Sequence, residues 1–120
     1  MRRAGGELGY DLHITRRNFW ADDDGQAITL EEWLVYVALD VDIEADPQNP
    51  GPENYVIASH PDRWPLRWHR RRGEVYTKNP DDLVVAKLVQ IARALNARVL
   101  GDDDEIYGID PSDPLVFERR

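Results

Sequence analysis

The stretch NPDDLVVAKLVQIARALNARVLGDDDEIY, residues 79–107, decides the fold. Asn79 is placed to cap a helix with its side-chain oxygen, and Pro80 suits the first helical position, where its missing N–H would be unpaired anyway. Asp81 and Asp82 favour the positive end of the helix dipole. Leu83, Val84, Leu88, Ile91 and Leu95 then fall at the three- and four-residue spacings of one buried face, with Lys87, Gln90 and Arg93 around the other side. Such a stripe needs a sheet to cover. Asn96 suits the left-handed turn that ends a helix, and residues 97–100 and 105–107 read as two strands joined by the acidic tip Gly101-Asp102-Asp103-Asp104.

Outward from that core, residues 1–8 read as a loose leader containing Gly5 and Gly6. Residues 10–16 form the first strand, since Tyr10, Leu12 and Ile14 alternate with Asp11, His13 and Thr15. A loop follows over 18–27. Thr29 and Glu32 make a capping box for a short helix ending near Asp40, with Leu30, Trp33, Leu34, Val37 and Val41 as its inward stripe. Three prolines and a glycine between positions 46 and 52 impose a loop. Beyond it, 55–59, 66–70 and 74–77 read as strands separated by His-Pro-Asp and Arg-Arg-Gly turns. Runs of adjacent strands predict an α+β domain over 9–108, two helices on one face of a mainly antiparallel sheet of about five to six strands. Residues 109–120 follow as a tail whose Leu115, Val116 and Phe117 can dock on the domain or add an edge strand.

Composition narrows the function classes. A chain of 120 residues, 42% hydrophobic, suits one domain that buries a core without staples. Cysteine is absent, which removes disulfides and thiol chemistry, and no apolar run has the length of a signal peptide or a membrane span. A soluble cytoplasmic protein is expected, with no membrane partner. The formal net charge of −8 weighs against general affinity for nucleic acid and suits a basic protein partner.

Asp11 and His13 lie two apart on one strand face, as an acid–base pair would require, yet no third group is fixed by spacing. A solvated face or a structural hydrogen bond is the commoner reason for such a pair. The acidic stretches Asp22-Asp23-Asp24-Gly25 and Asp102-Asp103-Asp104-Glu105 lack the alternating ligands of a calcium loop, so no metal and no cofactor is expected. No serine elbow and no glycine-rich phosphate loop occurs. Residues 63–72 hold five arginines (Arg63, Arg67, Arg70, Arg71, Arg72) and two tryptophans (Trp64, Trp68), a composition that can hold single-stranded nucleic acid by stacking and phosphate contacts. If Leu66 and Trp68 face the core, the same segment is a strand with a charged turn.

The residues YDLHITRR at 10–17, Trp20 before an acidic loop, Glu31-Glu32-Trp33, Lys78-Asn79-Pro80-Asp81-Asp82 and the closing GDDDEIY resemble a family of small, mostly uncharacterised bacterial cytoplasmic proteins, over about residues 9–108. In size and charge these are similar to immunity proteins that neutralise polymorphic toxins. The resemblance implies a non-catalytic protein-binding domain that meets a basic toxin domain. The mechanism expected is steering by Asp22, Asp23, Asp24, Asp102, Asp103, Asp104 and Glu105, followed by anchoring through Trp20 and Trp64. The alternatives are a nucleic-acid module using residues 63–72 and a small enzyme using Asp11 and His13.

Overall fold

A computed structural model describes residues 10–22 and 25–119; the leader expected over 1–8 lies outside the described residues. The elements in order are β1 (Asp11–Thr15), α1 (Leu30–Leu39), β2 (Ile43–Ala45), β3 (Asn54–Ile57), β4 (Trp64–His69), β5 (Glu74–Lys78), α2 (Asp82–Ala94), β6 (Arg98–Gly101), β7 (Glu105–Tyr107) and β8 (Phe117–Arg119). All strands join one sheet in the order β2-β3-β4-β5-β1-β6-β7-β8, and each pairing is antiparallel. The α+β class holds, but among the described residues the sheet has eight strands rather than five to six. The two extra strands are its edges. Each is three residues long, too short to show an alternation, and such brief edge strands offer little backbone for stray pairing. The tail therefore belongs to the domain: Leu115 and Phe117 are buried, and Phe117 pairs with Tyr107.

One buried row shows how register builds the core. Trp68 pairs with Val75, Val75 with Ile14, Ile14 with Val99, Val99 with Tyr107 and Tyr107 with Phe117. That row crosses six strands on one face. Helix α2 covers its centre with Val84, Leu88 and Ile91, all fully buried. Helix α1 buries Trp33 edge-on against Tyr55, whose neighbour Leu66 shares that face, so both helices lie on one side of the sheet.

The caps differ partly from expectation. Thr29 and Glu32 form the capping box, each side chain accepting the other's backbone N–H at 3.1 Å. At α2 the cap is Asp81 rather than Asn79, its carboxylate accepting the Val84 N–H at 3.0 Å. Asn79 takes a left-handed conformation (φ 47°) and instead accepts the Tyr10 N–H at 2.9 Å, which anchors the start of β1. Asn96 does end α2 in the left-handed region (φ 53°). Leu83 and Val41, expected on inward stripes, are exposed because each sits where its helix begins or has already ended.

Candidate functional site

The face of the sheet opposite the helices carries the odd-numbered side chains of β1. His13 pairs across the ladder with Tyr76 and Leu100, which brings Glu74 of β5 and Asp102, just past β6, to either side of its ring. Nδ1 lies 2.5 Å from Glu74 Oε2 and Nε2 lies 2.8 Å from Asp102 Oδ1. An ionised carboxylate only accepts and a neutral imidazole has only one N–H, so between two ionised carboxylates the ring is the doubly protonated cation. Burial opposes that charge, yet the hydrogen bonds and charges of Glu74 and Asp102 outweigh it and hold the His13 pKa above its ordinary 6.5. The cation is enclosed. His13 is 1% exposed and Glu74 0%, and the Trp20 indole lies on the imidazole at 4.1 Å between centroids, only 6° from parallel. The Arg72 guanidinium in turn sits 4.9 Å over Trp20.

Asp11 and His13 do share a face, as the alternation requires, but it is not a solvated one. Asp102 joins them, accepting the Asp11 backbone N–H at 2.9 Å as well as the His13 proton. Burial and then the Asp102 charge push the Asp11 pKa up. With both ring nitrogens engaged and one ring face covered, His13 offers no free position to a reacting group. What it does is tie β1, β5, the β6–β7 turn and the 16–22 loop together. No group of three or more such side chains among the described residues is arranged to hold a metal ion.

Two of the acidic-loop side chains, Asp102 and Glu105, are committed inside the fold. Glu105 is 4% exposed and accepts from the Tyr10 hydroxyl and, at 3.0 Å, from the Asp103 N–H; it is not a surface charge. Asp102 is bound to His13, the Asp22 carbonyl accepts from Arg17, and Asp23 and Asp24 lie outside the described residues. Asp103 is exposed, and Asp104 is half-buried in a left-handed conformation (φ 69°).

The arginine and tryptophan segment is likewise tied down. Trp68 is a core residue whose indole N–H donates to the Ile28 carbonyl at 2.9 Å, and half-buried Trp64 donates to Thr77 at 2.8 Å. Neither offers an open stacking face beside free arginines. Arg63 pairs with Glu44 at 3.0 Å, Arg67 with Asp46 at 2.7 Å and Arg70 with Glu53 at 2.8 Å, which cross-links β4 and its turns to the β2–β3 edge. Arg71 is exposed.

One open surface feature was not singled out by the sequence reading. A groove of about 880 Å³ runs between α1 and α2, lined on the α1 side by Glu31, Val35 and Leu39 and on the α2 side by Gln90, Ala94 and Leu95. Val35 is 63% exposed, Leu39 81% and Val41, which also lines it, 98%. Its walls are pinned at two places. Arg16 grips both Glu32 carboxylate oxygens (2.9 and 2.6 Å) and the Leu95 carbonyl, placing a cation at the negative end of α2. Those Arg16 bonds, with the Thr29 N–H, hold the Glu32 pKa down at about 2. Farther along, Lys87 of α2 meets Asp40 at 2.8 Å, and Asp40 also accepts from the Tyr36 hydroxyl. The available signal was α1 itself. From Trp33 to Leu39 it is apolar all round, with Val35 and Leu39 opposite Trp33, and a short surface helix of that kind has a second face to cover.

Comparisons with known protein families, with curated proteins and with solved structures find no match. No helix among the described residues is long and apolar enough to cross a membrane.

Proposed function

We propose that this domain is a non-catalytic protein-binding module whose contact surface is the groove between α1 and α2. The observation that carries the reading is the exposure of Val35, Leu39 and Val41 along one pre-pinned furrow. Scattered exposed aliphatic residues are ordinary, whereas a contiguous apolar strip with a polar rim is the anatomy of an interface. The narrower form of the proposal is an immunity protein that occludes a basic site on a toxin domain; the formal net charge of −8 supports steering toward such a partner. The groove replaces the 102–105 loop as the contact surface, because Asp102 and Glu105 are engaged internally.

The test is affinity capture from lysate of the source organism, with nuclease treatment in one arm, comparing the parent with Leu39→Asp. A stoichiometric, nuclease-resistant protein held by the parent and lost by the variant is expected. A partner retained equally by Leu39→Asp would sink the groove, and recovery of nucleic acid alone would move the function to Arg71 and its neighbours.

A further inference from the structure

Away from the groove, we infer that the end of the sheet formed by the close of β1 and the β4–β5 turn binds a compact phosphate-bearing ligand through Arg17, Arg71 and Arg72. Register gathers these residues from distant parts of the chain. Ile14 pairs with Val75 and Thr15 with Arg98, so Arg17, the turn over 70–73 and the start of β6 all lie at one end of the ladder. The turn is held in place there: the Arg72 N–H donates to His69 Nδ1 at 3.1 Å and the Gly73 carbonyl accepts from the Ile28 N–H at 2.8 Å. Unpaired cations collect at this end although the chain has a formal net charge of −8. Glu32 and Glu53 are spent on Arg16 and Arg70, and Glu74 is spent on His13. Among the described residues Arg17, Arg71, Arg72 and Arg98 have no carboxylate within ion-pair distance, whereas Arg63, Arg67 and Lys87 elsewhere each hold one. Arg17 carries the inference furthest. It is 8% exposed, its Nη1 donates to the carbonyl of Asp22 rather than to the carboxylate, and its Nε has no partner. Buried charges are ordinarily paired and buried donors satisfied, and an oxyanion against the Nε edge of the guanidinium supplies both.

The surroundings set the chemistry and the size of the ligand. Guanidinium groups present paired donors that match the oxygens of a phosphate, and three of them favour a group with more than one negative charge. No base is read beside them. The Trp20 ring is engaged by His13 at 4.1 Å and by Arg72 at 4.9 Å, and the indoles of Trp64 and Trp68 donate inward to Thr77 and Ile28. Length is limited by the far end of the same ladder, where Asp11 pairs with Lys78 and Asp81, Asp82 and Asp103 follow close to the strand ends. A polyanion long enough to run from the arginines to that end meets like charge, and a compact one does not.

Isothermal titration calorimetry with pyrophosphate at low ionic strength tests the site. The parent should bind one pyrophosphate saturably, and Arg17→Gln, Arg71→Gln and Arg72→Gln should each weaken it by about tenfold, the loss of a charge-assisted hydrogen bond. Arg63→Gln removes the same charge from a residue paired with Glu44 and should leave the affinity unchanged. Circular dichroism checks that each variant folds, and Arg71, which is exposed, keeps the test valid if Arg17→Gln does not. A parent that binds no pyrophosphate overturns the inference, because the Asp22 loop or solvent then already serves as the anion. A loss in Arg63→Gln as large as in Arg71→Gln overturns it in favour of general charge attraction. Equal affinity for citrate, which has carboxylates and no phosphate, removes the phosphate, and a long oligothymidylate that binds more tightly than pyrophosphate removes the compact ligand in favour of a nucleic-acid backbone. None of these outcomes bears on the groove, which Leu39→Asp tests separately.

Discussion

Replacing His13 by glutamine should be among the most damaging single changes to this domain, and its cost should depend on pH. The substitution keeps a polar side chain of similar size but removes the cation between Glu74 and Asp102, leaving a carboxylate at 0% exposure without its counter-charge. Breaking a buried pair in this way costs about 3–5 kcal/mol. For a domain of this size each kcal/mol is worth roughly 4 °C, so the melting temperature should fall by about 12–20 °C. The pH dependence has a definite sign. His13 has a folded pKa raised above 6.5, so its contribution is complete below pH 6.5 and is lost as pH rises through the folded value. Over that window the folded state holds a proton that the unfolded state has released, and stability should decline by about 1.4 kcal/mol per pH unit. Urea titrations of the parent and His13→Gln from pH 6 to 9 measure this directly. The two should converge as pH rises, and His13→Gln/Glu74→Gln should recover at least ~1 kcal/mol of the loss because the stranded charge is gone. Parallel pH profiles, or a His13→Gln cost below about 1 kcal/mol, would refute the buried imidazolium.

Gly101→Ala should cost about 1–3 kcal/mol by overpacking, because an added Cβ would lie 2.0 Å from the Tyr10 hydroxyl and 2.6 Å from Glu105 Oε1; a variant as stable as the parent in urea would contradict that close approach. Phe117→Ala should cost about 3–5 kcal/mol, since the ring closes the buried row against Tyr107 at 5.0 Å; a thermal melt unchanged from the parent would remove the eighth strand from the core.

What was legible in the sequence is whatever a local period records. The α2 stripe, the Thr29–Glu32 capping box and the alternation of β1 each repeat within a few residues, and each element is present. The edges were legible only in part: the tail was read as able to dock or to add an edge strand, while β2 went unread. Ile43–Ala45 and Phe117–Arg119 are three residues apiece and are strands only because a neighbour lends them a ladder. The electrostatic centre was half legible. Alternation put Asp11 and His13 on one face, but the groups that bury His13 lie 61 and 89 positions downstream, and Trp20 folds back from a loop with no periodicity. Asp102 and Glu105 looked like solvated tip charges because local sequence does not reveal that a histidine and a tyrosine approach from the other end of the chain.

The place of β1 in the sheet has a consequence for how the chain acquires its structure. The first strand along the sequence is flanked by β5, which begins at Glu74, and by β6, which ends at Gly101. A nascent chain emerging from the ribosome thus holds an apolar ribbon, Leu12 and Ile14, with no ladder partner until the chain has been made past Glu74. Its loops close late and over long separations, the regime in which folding is slow and exposed strands meet other molecules. No fragment that stops short of Gly101 can complete the middle of the sheet, whereas β2 to β5 pair with their sequence neighbours and need only local closure.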